Sequence, residues 1–396
     1  MPRTLLALAL LAPSDPRAPG DRPGPDIDKA IADGVRILVG CQEEGGAWPY
    51  QGVYGGRDAK GEYLPPVGYQ VGGTAISALA LLHAADPGDE AAQRAIDGGV
   101  EFVLKTLGHP SMTPEFAEGY DVRIWGHAYA LLLLARCKAL GRGGPRSEAI
   151  ALRIPWLVAA IEKTEIPSAV VEKRELAAGG WNYARGKGWE TWSPPSTFTT
   201  APVVQALLEA RKVGAQVSPG VLARARRVLE EARTAEGAFV YAGAAVGRSG
   251  QDVRAKVPGA IARMPVCETT LRLLGGGSVE ATKRSVVAFL EEWQALEDRR
   301  KKTGTHEPPY GIAPYYYFYG HYYAAQAIES LPAAERPPLR ARLLEKIFQV
   351  REPDGSWNDR MFERSRNFGT AMVVLALLAP KLPEPAALAP AKPQGN

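Results

Sequence analysis

"AAGGWNYARG" (Ala177–Gly186), followed by "TTAPVVQALLEA" from Thr199, is the stretch that decides the fold. A Gly-Gly pair permits a tight reversal and Trp181 offers a large apolar anchor. After roughly 20 irregular residues the chain enters a helix almost without charge. The same plan returns as "EEGGAWPY" (Glu43–Tyr50) before "GTAISALALLHAA" from Gly73, and as "EPDGSWNDR" (Glu352–Arg360) before "GTAMVVLALLAP" from Gly369. Looser copies are "AEGAFVY" before "PVCETTLRLL", "EGYDVRIWGHAYALLLLARC", and "THEPPYG" before "PYYYFYGHYYAAQAIES" (Pro314–Ser330).

These entries fall near Thr74, His127, Thr200, Thr269, Tyr322 and Thr370. They stand roughly 50–70 residues apart, room for a helix pair and a loop. The helices that follow are hydrophobic on nearly all sides, as in Ala128–Cys137 and Thr370–Ala379, so they are expected to be buried. Each is preceded by an amphipathic helix. Ile27, Ile31, Val35 and Leu38 form the stripe of the first, and the others are expected near 91–107, 148–163, 219–233, 279–298 and 336–350. Six buried helices alternating with six half-exposed ones predict two concentric rings: one all-α domain, an (α/α)6 toroid over residues 26–380. Closure removes the exposed ends that an open helical array must cap.

The bulk numbers agree. Of 396 residues, 46% are hydrophobic and 23% charged, which describes a globular chain. The net charge of +4, from 47 basic and 43 acidic residues, leaves little excess for phosphates. The one dense basic run, Arg299–Lys302, reads as a solvated helix end, so no nucleic-acid partner is expected. Three cysteines, Cys41, Cys137 and Cys267, do not make a disulfide framework and read as small buried hydrophobes. Residues 1–25 are expected to be a signal peptide and Pro-rich linker. Arg3 precedes the apolar run Leu5–Ala12, too short to span a bilayer, which needs about 20 residues. Export to the periplasm or outside the cell follows from that reading, with an unstructured start as the plain alternative. The Pro/Ala-rich tail, 381–396, is expected to be disordered.

The Gly-Gly-x-Trp turns before helices such as Thr-Ala-x-x-x-Leu-Ala-Leu-Leu resemble the repeats of the prenyltransferase and squalene–hopene cyclase group. The likeness covers nearly all of 26–380. It is specific for fold and says little of activity, because proteins of different function share the turn.

In such a ring the inner helices begin at one rim, so their first residues surround one mouth. Trp125, Trp181, Tyr183, Tyr315, Tyr316, Tyr319 and Tyr322 are the expected substrate-binding residues there. For the turn tryptophans, Trp48, Trp181 and Trp357, a structural role in pinning the turn is the stronger reading. His306 sits on a loop near the tyrosine run. Cys267 and His321 fall at the starts of adjacent inner helices, and a thiolate with an imidazole suits Zn²⁺. Glu268 is a possible third ligand. The arrangement resembles the β subunit of protein farnesyl- and geranylgeranyltransferases, which implies a zinc-dependent transferase. Two departures stand against it: Pro265 replaces the family's aspartate, and Gly320 is inserted at the Tyr-His junction. The competing reading is a buried thiol and a hydrogen-bonded rim histidine, with no cofactor.

Squalene–hopene cyclases protonate an alkene with an Asp-x-Asp-Asp motif, and this sequence has none. Asp121, beside His127, is the candidate catalytic acid if buried, because desolvation raises a carboxyl pKa. A helix-capping carboxylate is the alternative. Asp121 and Asp359 both precede inner helices and could instead form the carboxylate pair of a sugar hydrolase or lyase. "GCQEE" (Gly40–Glu44) lacks the glutamine that an internal thioester requires, since Glu44 stands in its place. The leading expectation is an exported toroid whose aromatic mouth binds, and could transform, an apolar isoprenoid-like molecule or lipid. A purely structural scaffold would have its central cavity filled by side chains.

Overall fold

The computed structural model describes residues 26–116, 122–171, 174–176, 178–182, 194–244 and 253–388. The expected leader (1–25) and the last part of the tail (389–396) lie outside the described residues, as do Asp121 and Tyr183.

Among the described residues twelve long helices form six antiparallel pairs. The outer members are α1 (Ile27–Gly40), α3 (Glu90–Thr106), α5 (Ser147–Lys163), α7 (Pro219–Ala232), α9 (Val279–Glu291) and α11 (Arg336–Gln349). The inner members are α2 (Val67–Ala84), α4 (Arg123–Ala139), α6 (Thr197–Lys212), α8 (Met264–Leu273), α10 (Tyr316–Glu329) and α12 (Ser365–Leu378). Each inner helix packs on the next, from α2 through to α12, and α12 packs back on α2. The ring is closed. Among the described residues the only strands are two short antiparallel ribbons, Gly56–Arg57 with Tyr63–Leu64 and Ala169–Val171 with Arg174–Leu176. No described helix is long and apolar enough to cross a membrane.

The two rings differ in how their helices begin. Asp26, Asp89, Ser218 and Ser278 cap outer helices α1, α3, α7 and α9 through their side chains. No inner helix has a side-chain N-cap. Their starts are held by the turns instead. The backbone N–H groups of Trp48, Trp181 and Trp357 donate to Thr74, Thr200 and Thr370 Oγ1 at 2.9, 3.0 and 3.2 Å. The three indole N–H groups donate the other way, to the carbonyls of Leu38, Ile161 and Ile347 near the outer-helix ends, at 2.7, 2.8 and 2.9 Å. One tryptophan thus ties an outer helix's end to the following inner helix's start. Gly180 takes the left-handed φ of +70° that the turn needs, and a Cβ on Gly73 would sit 2.5 Å from the Trp48 carbonyl oxygen. The threonines lie inside the inner helices, not at their first residues, because each must reach back to its turn.

This geometry carries a prediction. Thr200→Val keeps the shape but strips the acceptor from the buried Trp181 N–H, and is expected to cost about 1–3 kcal/mol in urea unfolding. A loss within experimental error would show that the threonine contact contributes nothing.

Candidate functional site

The N-terminal mouth of the inner ring is floored by six aromatic residues: Tyr50, Tyr69, Trp125, Phe198, Tyr315 and Phe368. Tyr50 follows the first tryptophan turn, while the others sit at the starts of α2, α4, α6, α10 and α12. They surround a small pocket of about 20 Å³. Their rings meet edge-on or tilted, as in Tyr50–Tyr69 at 5.4 Å, Tyr69–Trp125 at 5.6 Å and Tyr50–Phe368 at 4.9 Å. Beneath this floor the axis is blocked. Tyr129 on α4 and Tyr323 on the facing α10 join hydroxyls at 3.2 Å, and Tyr319 donates to the Phe198 carbonyl at 3.0 Å with its ring 4.2 Å from that of Phe198. The toroid is therefore plugged by side chains just below the mouth, and the mouth is a shallow dish.

Two buried ionisable groups lie behind the dish. Arg360 donates from Nε to the Tyr50 hydroxyl at 2.9 Å and lies 5.5 Å from the Tyr315 ring centroid. Asp359, next to it, is 0% exposed, and neither carboxylate oxygen has a hydrogen-bond partner. Burial pushes its pKa up to about 7, against the opposing pull of Arg360. His306, at the rim, bonds the Gly311 carbonyl at 3.1 Å and meets the Tyr315 hydroxyl at 3.4 Å. Burial lowers its pKa to about 4, so it is neutral.

Of the residues expected at the mouth, Trp125 and Tyr315 line the pocket. Tyr316 and Tyr319 are buried just beside and below it, Tyr316 lying 5.4 Å from the buried Arg263 guanidinium and 5.1 Å from the Phe198 ring. Tyr322 is displaced to the other end of the barrel, because the helical period turns it toward a separate cavity. Trp181 is wholly buried in its turn, where both its N–H groups are used. It does not reach the mouth. His127, paired in expectation with Asp121, faces the outer ring. Its Nε2 bonds the Met112 carbonyl at 2.9 Å and its ring meets Trp156 edge-on at 5.8 Å. Burial lowers its pKa to about 3. Its Nδ1 has no partner among the described residues, and Asp121 lies outside them.

The zinc expectation is corrected by the partners each ligand already has. His321 Nδ1 bonds the Tyr317 carbonyl at 2.7 Å, which fixes its proton there, and Nε2 accepts from Trp293 Nε1 at 2.9 Å. No lone pair is left for a metal. Cys267 points instead to the Thr197 carbonyl on α6 at 3.9 Å, and burial pushes its thiol well up, away from thiolate. Glu268 forms an ion pair with Arg233 at 2.5 Å. Among the described residues no group of three or more His, Cys, Asp or Glu could hold a metal ion.

The residues that sequence reading missed are Tyr50, Tyr69, Phe198, Phe368 and Arg360. The sequence does carry a signal for them: an aromatic recurs in the first turn of inner helix after inner helix, offset from the tryptophans and threonines that mark the repeat.

No family model matches the chain, and no curated protein matches it. Solved structures do. The GH76A α-1,6-mannanase from Salegentibacter sp. HEL1_6 is similar over 89% of this chain and 99% of that one, at 13% identity and a TM-score of 0.57. A D-mannose isomerase is similar over 90% of this chain and 100% of that one, at 15% identity and a TM-score of 0.50. A variant of the type II terpene cyclase MstE from Scytonema, in complex with geranylgeranyl dihydroxybenzoate, covers 90% and 98% at 16% identity and a TM-score of 0.49. At these identities the likeness to the mannanase and the isomerase establishes the class, an (α/α)6 toroid, and nothing narrower.

Proposed function

We propose that the N-terminal mouth of this toroid binds an apolar ligand of the isoprenoid kind. The observation that carries the reading is the ring of six aromatic residues delivered to one opening by five inner helices and the first turn. Aromatic faces attract apolar and electron-poor groups. Of the polar groups described there, Arg360 is engaged on Tyr50 and His306 on Gly311 and Tyr315, and the Asp359 carboxyl alone has no partner. A sugar would demand free, convergent hydrogen-bonding groups there.

Because the barrel axis is blocked, the ligand lies across the dish instead of threading the centre. The test is a fluorescence titration with geranylgeraniol. Saturable quenching is expected, weakened about tenfold or more (about 1.4 kcal/mol) in Trp125→Ala. Absence of saturable binding, or equal affinity in the variant, would end the reading.

A transforming role is the second reading, favoured by Asp359. A carboxyl whose pKa burial raises and whose oxygens have no partner is suited to donate a proton, once ligand binding opens the floor to it. On this reading Asp359→Asn abolishes turnover and leaves binding intact. The sugar-active variant of the idea pairs Asp359 with Asp121.

A further inference from the structure

A second cavity, of about 390 Å³, lies between the C-terminal halves of the inner helices, away from the aromatic mouth. The chain lays its own C-terminal segment across it. Leu382, Pro383, Glu384, Pro385 and Ala387 contribute to its lining. The Ala386 N–H donates to Glu209 Oε1 at 2.9 Å, and the Leu388 N–H donates to the Leu273 carbonyl at 2.9 Å. Residues 382–388, expected from composition to be disordered, are thus held as a strap.

The charges that face this space are largely neutralised within the protein. Arg136 pairs with Glu209 at 2.8 Å, Glu329 pairs with Arg340 at 2.7 Å, and Arg272 donates to the Ser330 carbonyl and hydroxyl, each at 3.0 Å. His83 is neutral, its pKa lowered to about 4 by burial and by Arg136. The uncharged groups are left wanting. Gln326 Oε1 and Thr269 Oγ1 are buried without a partner, and the Tyr322 hydroxyl has none among the described residues. All three belong to α8 and α10 and line the same cavity. A buried polar group left unpaired costs about 1–3 kcal/mol, so two on the wall of one roomy space, beside an unpartnered phenol, call for an occupant. Leu79, Leu132 and Leu375 add apolar wall.

We propose that this basal cavity binds a small uncharged polyol, of hexose or cyclitol size, enclosed by the C-terminal strap. A hydroxyl both donates and accepts, so one polyol can answer an amide oxygen, a threonine and a phenol together. Its C–H face matches the leucine wall. The volume falls within the range of roughly 300–1,000 Å³ usual for small-molecule sites. The inference stands apart from the reading of the aromatic mouth.

Calorimetric titration of the full chain with D-glucose and with myo-inositol tests it. At least one is expected to bind at a single saturable site, weakened tenfold or more in the Tyr322→Phe, Gln326→Leu double variant and unchanged in Trp125→Ala. A second arm leaves the cavity wall intact: Ala386→Pro removes the N–H that ties the strap to Glu209 and is expected to weaken the same binding several-fold. If the double variant does not fold, this arm decides. Binding of neither probe, binding indifferent to both changes, or binding lost in Trp125→Ala would each overturn the proposal.

Discussion

Replacing Trp181 with alanine is expected to cost about 3–5 kcal/mol, and Trp48→Ala and Trp357→Ala the same. Each indole is 0% exposed, so truncation removes a large apolar volume and leaves a cavity. It also leaves the carbonyl of Ile161, Leu38 or Ile347 without its indole donor, at the point where an outer helix ends. The loss matters for the whole ring because the turn joins an outer helix to its inner successor. Against a typical stability of about 5–15 kcal/mol, one such change is a large fraction of the total. Chemical denaturation of the three variants measures it. A cost below about 1 kcal/mol would show that the turns are ornaments of the fold and not its fasteners.

The second large effect concerns Asp359. Its pKa is raised from 3.8 to about 7 by burial, so the unfolded chain releases this proton before the folded one does. Between roughly pH 4 and pH 7 the folded state holds more protons, and stability falls as pH rises. With about 1.36 kcal/mol per pKa unit, the loss is about 4 kcal/mol by pH 8. Asp359→Asn cannot ionise and escapes it. The stability difference between variant and parent, measured by denaturation at pH 4 and pH 8, is expected to widen by about that amount in favour of the variant. A constant difference would mean that the carboxyl is in contact with water and ordinary. His127 and His321 act in the opposite sense. Their pKa values are lowered to about 3 and about 4, so the unfolded chain binds protons first and stability is lost as pH falls below about 6.5. The difference measurement isolates Asp359 from them.

Much of the architecture could be read from the chain alone. The stripe Ile27, Ile31, Val35, Leu38 became α1, and the amphipathic segments near 148–163, 219–233 and 336–350 became α5, α7 and α11 almost to the residue. Helical periodicity and Ser/Asp caps are local facts, and local facts survive in a sequence. The structural reading of the turn tryptophans rested on the same ground, since an indole between two glycines and a charge-free helix has few other places to go.

The site was legible only in part. "PYYYFYGHYYAAQAIES" announces an aromatic helix, but the helix distributes its rings in different directions. Tyr315 reaches the mouth, Tyr319 and Tyr323 fill the axis, Tyr317 and His321 turn outward to Glu297 and Trp293, and Tyr322 faces the basal cavity. Sequence adjacency put Cys267 and His321 at neighbouring helix starts, yet a rotation of one helix about its axis decides which partners a side chain meets. Period and composition determined that this chain builds a closed double ring with aromatic helix starts. Only the tertiary packing decided that the ring's centre is plugged, that Asp359 is sealed beside Arg360, and that a tail written as disorder closes a cavity. Those outcomes depend on contacts between residues far apart in the chain, which no local pattern records.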